Sequence, residues 1–145
     1  HQSGLAVDIT DVYYPIKDSS LENTETFKWL KEHCTEYGFI LRFPSDKQDI
    51  TGVMYEPFHF RYVGVEAATY IKENNLCLEE YLAALENCTY EGNHLIFDVD
   101  GKNYEIYFVA AENGATTTLP VPNDPTLYTV SGNNYSGYIV TITRG

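Results

Sequence analysis

Along the first nine residues the apolar positions Leu5, Val7 and Ile9 alternate with Gly4, Ala6 and Asp8. A period of two predicts a strand with one apolar face and with Asp8 on the other. Residues 10–22 contain Pro15 and several Asp and Ser and read as a loop. Asn23 or Thr24 then caps a helix whose inward stripe is Phe27, Leu30, Cys34 and Tyr37, and Gly38 closes it by adopting the left-handed conformation. Phe39–Phe43 is a short apolar run, Pro44–Asp49 a polar turn, and Ile50–Phe60 a second extended segment interrupted by Pro57. These two extended segments are predicted to be neighbouring strands. Gly64 precedes a helix over Val65–Asn74 with Val65, Ala68 and Ile71 inward, and a further helix over Leu78–Leu85 groups Leu78, Tyr81, Leu82 and Leu85.

After about residue 90 the period changes. Leu95, Phe97 and Val99 alternate up to Asp100-Gly101, a two-residue hairpin signal, and Tyr104–Val109 returns as the partner strand. Residues 110–126 are rich in Gly, Thr, Asn and Pro, with one extended stretch at Leu119–Val121. A last strand over Tyr138–Thr143 is expected to pair with Tyr128–Val130 across a Ser-Gly-Asn-Asn-Tyr-Ser-Gly turn. The chain is therefore expected to be α+β, with one domain over residues 1–88 and a small β appendage over residues 89–145. Tyr128, Tyr135 and Tyr138 of the appendage either stack on sugar rings or pack a small core; no motif there carries chemistry.

The 145 residues suffice for one domain with an appendage and not for two full enzyme domains. A formal net charge of -12 repels phosphate backbones and anionic lipid, which argues against nucleic acid as a partner. No run approaches the roughly 20 apolar residues of a membrane span. Three cysteines, Cys34, Cys77 and Cys88, are too few and too irregular for a disulfide framework or a zinc knuckle, and Cys34 and Cys77 are expected to be buried thiols. His33 and His94 read as ordinary histidines.

Four residues carry a possible chemistry together: His1, Asp8, Glu56 and His59. Two imidazoles and a carboxylate suit a catalytic Zn²⁺ that keeps an open fourth position, and a spare Glu would serve as base toward zinc-bound water. Glu56 and His59 are three apart, so a regular strand would place them on opposite faces; a bend at Pro57 is required to converge them. Each member also has a structural alternative. His1 is a terminus, Asp8 a solvent-facing strand residue, Glu56 one of many surface acids, and His59 a half-buried ring bonded to backbone.

The patterns His1-x-x-Gly4-x-Ala6-x-Asp8 and Glu56-Pro57-Phe58-His59-Phe60-Arg61-Tyr62-Val63-Gly64 resemble the D-alanyl-D-alanine carboxypeptidase family of bacterial wall peptidases. That family includes the vancomycin-resistance zinc carboxypeptidases and related L,D-carboxypeptidases. Tyr37-Gly38-Phe39-Ile40-Leu41-Arg42-Phe43-Pro44 and Leu78-Glu79-Glu80-Tyr81-Leu82 extend the likeness over residues 1–85. It implies His1, Asp8 and His59 as zinc ligands, Glu56 as general base, and a small α+β zinc-peptidase fold whose antiparallel sheet bears the metal. It further implies release of the C-terminal D-alanine from peptidoglycan stem peptides, or cleavage of the L,D bond of tetrapeptides, by a bacterial extracellular or wall-associated enzyme. A catalytically silent wall-binding module is the reading from another class, and the presence of Glu56 argues against it.

Two departures stand out. Phe58 replaces the Trp usual in relatives, which keeps an aromatic wall but removes an indole N–H. The Ser, Arg and helices that relatives carry upstream of the first motif are not in this sequence, so the chain is expected to be part of a longer enzyme whose N-terminal portion is a partner of the site. Arg42 and Arg61 are candidates for the substrate carboxylate, because a guanidinium reads a peptide C-terminus in bidentate fashion. Phe58 and Tyr62 are the further substrate-contact candidates.

Overall fold

The computed structural model describes residues 4–112, 117–132 and 136–144. His1 and Tyr135 lie outside the described residues, as does part of the turn expected between the last two strands. The chain divides into two compact units, residues 1–80 and 81–145, earlier than the boundary expected at residue 88. Both contain helix and antiparallel strand, the α+β class expected.

In the first unit, strands β1 (Ala6–Asp8), β2 (Phe39–Leu41) and β3 (His59–Tyr62) form an antiparallel sheet in the order β1-β3-β2. Helix α1 (Glu25–His33) begins at Thr24, whose hydroxyl accepts a hydrogen bond from the Phe27 N–H and so satisfies one of the free donors of the first turn. Phe27, Cys34 and Phe60 form the buried cluster between helix and sheet, with Ile9, Leu30, Phe39, Leu41 and Tyr55 packed around it. The helix tightens into a 3₁₀ turn at Cys34–Tyr37. With three residues per turn instead of 3.6, that turn rotates its end off the inward stripe, and Tyr37 is exposed rather than inward as expected. Gly38 does close the segment, at φ +85°, with its N–H on the carbonyls of Cys34 and Thr35. A side chain there would also meet the Tyr62 ring at 2.6 Å.

The segment expected to be extended from Ile50 is mostly not. Ser45–Lys47 is a 3₁₀ turn that leads into α2 (Gln48–Thr51), and Gly52 ends this helix in the left-handed region. Strand begins only at His59, because Pro57 supplies no N–H to a ladder and sits in a turn. β2 and β3 are the neighbours expected, with Leu41 opposite Phe60. α3 (Val65–Glu73) buries Ala67, Ala68 and Ile71, while Val65 is only half-buried.

Helix α4 (Leu78–Glu86) spans the division between the units. The Glu80 carboxylate reaches back to the Cys77 N–H at 3.0 Å, as the acidic residue of a capping box does. In the second unit, β4 (Leu95–Val99), β5 (Lys102–Ala110), β6 (Tyr128–Gly132) and β7 (Gly137–Arg144) make an antiparallel sheet in the order β4-β5-β7-β6. Asp100 and Gly101 both take positive φ, 51° and 80°, which is the geometry that lets a two-residue turn follow the twist of its strands. Tyr107, Val140 and Ile142 form one buried cluster of this unit, with Val109, Val121 and Tyr128 against them. Leu119–Val121 forms no strand. His94 has a structural role: Nδ1 lies 2.5 Å from Glu105, Nε2 lies 2.7 Å from the Tyr90 carbonyl, and the ring stacks on Tyr107. The His94 hydrogen bond is the main reason that the Glu105 carboxyl is held below its ordinary value. No helix among the described residues is long and apolar enough to cross a membrane.

Candidate metal centre and active site

Alternation along β3 separates its side chains. Phe60 goes into the core, so His59 and Arg61 take the opposite face of the sheet. The register then places Asp8 of β1 directly across from His59. Asp8 Oδ1 and His59 Nδ1 are 3.2 Å apart, and both side chains are largely withdrawn from solvent, at 17% and 13% exposure. Donor atoms that share a tetrahedral zinc at about 2.0–2.1 Å stand about 3.3 Å from one another. A carboxylate and an imidazole nitrogen at this spacing therefore fit two positions of one zinc ion. Among the described residues no group of three metal-type donors is present, and the third expected ligand, His1, lies outside them.

Glu56 and His59 are the first and last residues of one turn, closed by the His59 N–H on the Glu56 carbonyl at 3.2 Å with Pro57 buried inside it. This is the bend that the three-residue spacing requires. The turn is held from both sides, by the Glu56 N–H on the Phe43 carbonyl at 3.1 Å and by the Ile9 N–H on the Phe58 carbonyl at 2.7 Å. Phe58 is half-buried beside it. Among the described residues no cation or hydrogen-bond donor engages the Glu56 carboxylate.

The two arginines differ. Arg42 was a substrate-carboxylate candidate, but its guanidinium already holds Glu79 in a two-pronged pair, at 2.7 and 2.9 Å, and lies over the Phe43 ring. It serves instead as a wall: its N–H bonds the His59 carbonyl at 3.1 Å, and Phe43 packs its ring 5.1 Å from that of His59. Burial alone would raise the Glu79 carboxyl, but the hydrogen bonds and charge of Arg42 hold it below its ordinary value. Arg61 gives only its Nε–H, to the Tyr62 carbonyl at 3.3 Å, and has no carboxylate partner among the described residues. Burial first, and the neighbouring Arg42 charge second, draw its guanidinium below its ordinary value. Tyr62, three residues from His59, lies on the opposite face, edge-on to Phe39, and does not line this site.

Glu79→Gln should cost about 1 kcal/mol in urea denaturation, below the roughly 1.5–3 kcal/mol of charged hydrogen bonds because Glu79 is a third exposed and solvent screens the pair. The sign of its pH dependence follows from the depressed carboxyl. Its stabilisation is present above the unfolded value, near about 4.3, and is lost as pH falls through the folded one. The gap between wild type and variant should therefore close in acid; a gap that persists at low pH would contradict the pairing.

One contact at the site had no signal in the sequence. The Lys17 ammonium sits 2.8 Å from Asp8 Oδ2, nine residues along the chain, and only the path of the intervening loop brings them together.

The family model described as VanY, D-alanyl-D-alanine carboxypeptidase, matches residues 1–65. A D-alanyl-D-alanine carboxypeptidase of Enterococcus faecium is 39% identical over all 145 residues, which are 44% of its own length. The solved structure of the vancomycin-resistance D,D-dipeptidase VanXYg, in complex with a D-Ala-D-Ala phosphinate analogue, superposes with a TM-score of 0.84 at 33% identity, over 99% of this chain and 57% of that one. The LdcB LD-carboxypeptidase superposes with a TM-score of 0.55 at 44% identity, over 57% of this chain and 39% of that one. The chain thus spans about half the length of the relatives it matches. The likeness to VanXYg runs through the C-terminal β unit, whereas that to LdcB covers little more than half the chain. Its helices and antiparallel sheets agree with these solved relatives, and over residues 1–65 the chain matches the VanY D-alanyl-D-alanine carboxypeptidase family.

Proposed function

We propose that this chain carries the catalytic centre of a zinc D,D-carboxypeptidase that releases the C-terminal D-alanine of peptidoglycan stem peptides, in a bacterial enzyme working outside the cell or at its wall. The observation that carries the reading is the Asp8–His59 pair, 3.2 Å apart, with Glu56 at the head of the turn that delivers His59. His1, Asp8 and His59 would hold the ion. Zinc supplies, when bound, a Lewis acid that polarises the scissile carbonyl and makes a water more acidic. Glu56 takes one proton from the attacking water as its oxygen bonds to the acyl carbon, and passes that proton to the departing D-alanine nitrogen as the C–N bond breaks. Arg61, a partly desolvated cation on the His59 face, receives the free carboxylate of the terminal D-alanine. Phe43 and the half-buried Phe58 hold the ring of His59 and the edge of the cleft.

The L,D alternative rests on the 44% identity to LdcB. The D,D reading is preferred because the likeness that runs the length of the chain is to a D,D-dipeptidase holding a D-Ala-D-Ala analogue. Incubating the intact, zinc-loaded protein with pentapeptide and tetrapeptide stems separates them. Release of D-alanine from the D-Ala-D-Ala pentapeptide, and refusal of its C-terminal amide, is expected. Release from the tetrapeptide alone would select the L,D activity, and release from neither would end both readings.

A further inference from the structure

The loop after β1 is well built for so polar a stretch. Asp11 accepts the Tyr13 N–H at 2.7 Å through one oxygen and the Thr26 hydroxyl at 2.6 Å through the other, which ties the loop to α1. Those two bonds, the Thr26 hydroxyl foremost, hold the Asp11 carboxyl below its ordinary value. At the far end Asp18 accepts both the Tyr14 hydroxyl and the Ser20 N–H, each at 2.9 Å. Pro15 fixes one backbone angle between the two anchors. The residue that this frame presents to the site is Lys17, whose ammonium lies 2.8 Å from Asp8 Oδ2.

As a surface ion pair this contact would be worth little, since Lys17 is 55% exposed. Its consequence is geometric. The two carboxylate oxygens of Asp8 are divided, Oδ2 facing Lys17 and Oδ1 facing His59 Nδ1. A carboxylate left to itself can close on a metal through both oxygens and use up the coordination position that water and substrate need. We propose that Lys17 is a positioning residue which engages Asp8 Oδ2 and thereby commits Asp8 to bind the metal through Oδ1 alone. This rests on the zinc site proposed above. Partners of this kind around ligating groups set both their orientation and the affinity for the ion.

The test compares the intact wild-type protein with Lys17→Met and Lys17→Arg, each loaded with Co²⁺ and, separately, titrated with Zn²⁺ against a chelator. Four-coordinate cobalt absorbs strongly in the visible and five-coordinate cobalt weakly, so the spectrum reads ligation by Asp8 without any need for turnover. In Lys17→Met the bands should lose intensity and zinc affinity should fall about 10-fold, while Lys17→Arg keeps both near wild type. An unchanged cobalt spectrum in Lys17→Met overturns the proposal, and does so equally if zinc then binds more tightly, because Lys17 would be a competitor for the carboxylate. Failure of the wild-type protein to bind either ion would overturn the metal site itself, and with it the role of Lys17; the two failures are distinguishable.

Discussion

Glu56→Gln should lower the rate of D-alanine release by about 10²–10⁴-fold while leaving zinc content unchanged. The substitution keeps the size of the side chain and the backbone bonds of the Glu56–His59 turn, since the Phe43 carbonyl is met by the Glu56 N–H and the His59 N–H is met by the Glu56 carbonyl. What it removes is the proton acceptor. The side chain has no structural partner among the described residues, so thermal stability should barely change. Steady-state rates on a D-Ala-D-Ala pentapeptide, with metal analysis of the same sample, check this. A variant that turns over at the wild-type rate would remove Glu56 from the mechanism, and one that loses zinc would make Glu56 a ligand.

The second large effect concerns His59. His59→Ala should weaken zinc binding by more than the 10–100-fold that loss of an outer partner costs, because it removes a donor atom and not merely its support. A thermal readout follows. Zinc present at 100 times its Kd stabilises the folded chain by about 2.7 kcal/mol if it binds only the folded state. That increment should be present in wild type and in Glu56→Gln and absent in His59→Ala. The reverse ordering, with zinc stabilising the His59 variant and not the Glu56 variant, would exchange the assigned roles.

How far the sequence discloses this site can be traced residue by residue. The Asp8 strand and the position of His59 follow from local alternation and from Pro57, and both stand in the structure at the places expected. The Asp100-Gly101 hairpin is as plain, because its turn chemistry is local. The Ile50 segment imitates a strand in sequence because four of the residues from Ile50 to Tyr55 are apolar or aromatic, and the left-handed Gly52 that breaks them has no apolar signature. Arg42 could not be sorted from Arg61 by sequence. The difference lies in Glu79, 37 positions away, which neutralises one and not the other. Tyr62 shares a strand with His59, and their odd separation puts the two side chains on opposite faces. Lys17 lay beyond any periodic argument, because a loop and not a helix or strand carries it to Asp8.

The pairing of Asp8 with His59 has one more consequence. A slip of β1 against β3 by a single residue would set Phe60 across from Asp8 and turn Asp8 toward the helix, away from His59. Short strands of three and four residues carry few bonds to resist such a slip. An ion that needs both donors would bind only the correct alignment, so it would act as a proofreader of strand registry during folding, and a chain matured without it would retain a larger share of misaligned molecules.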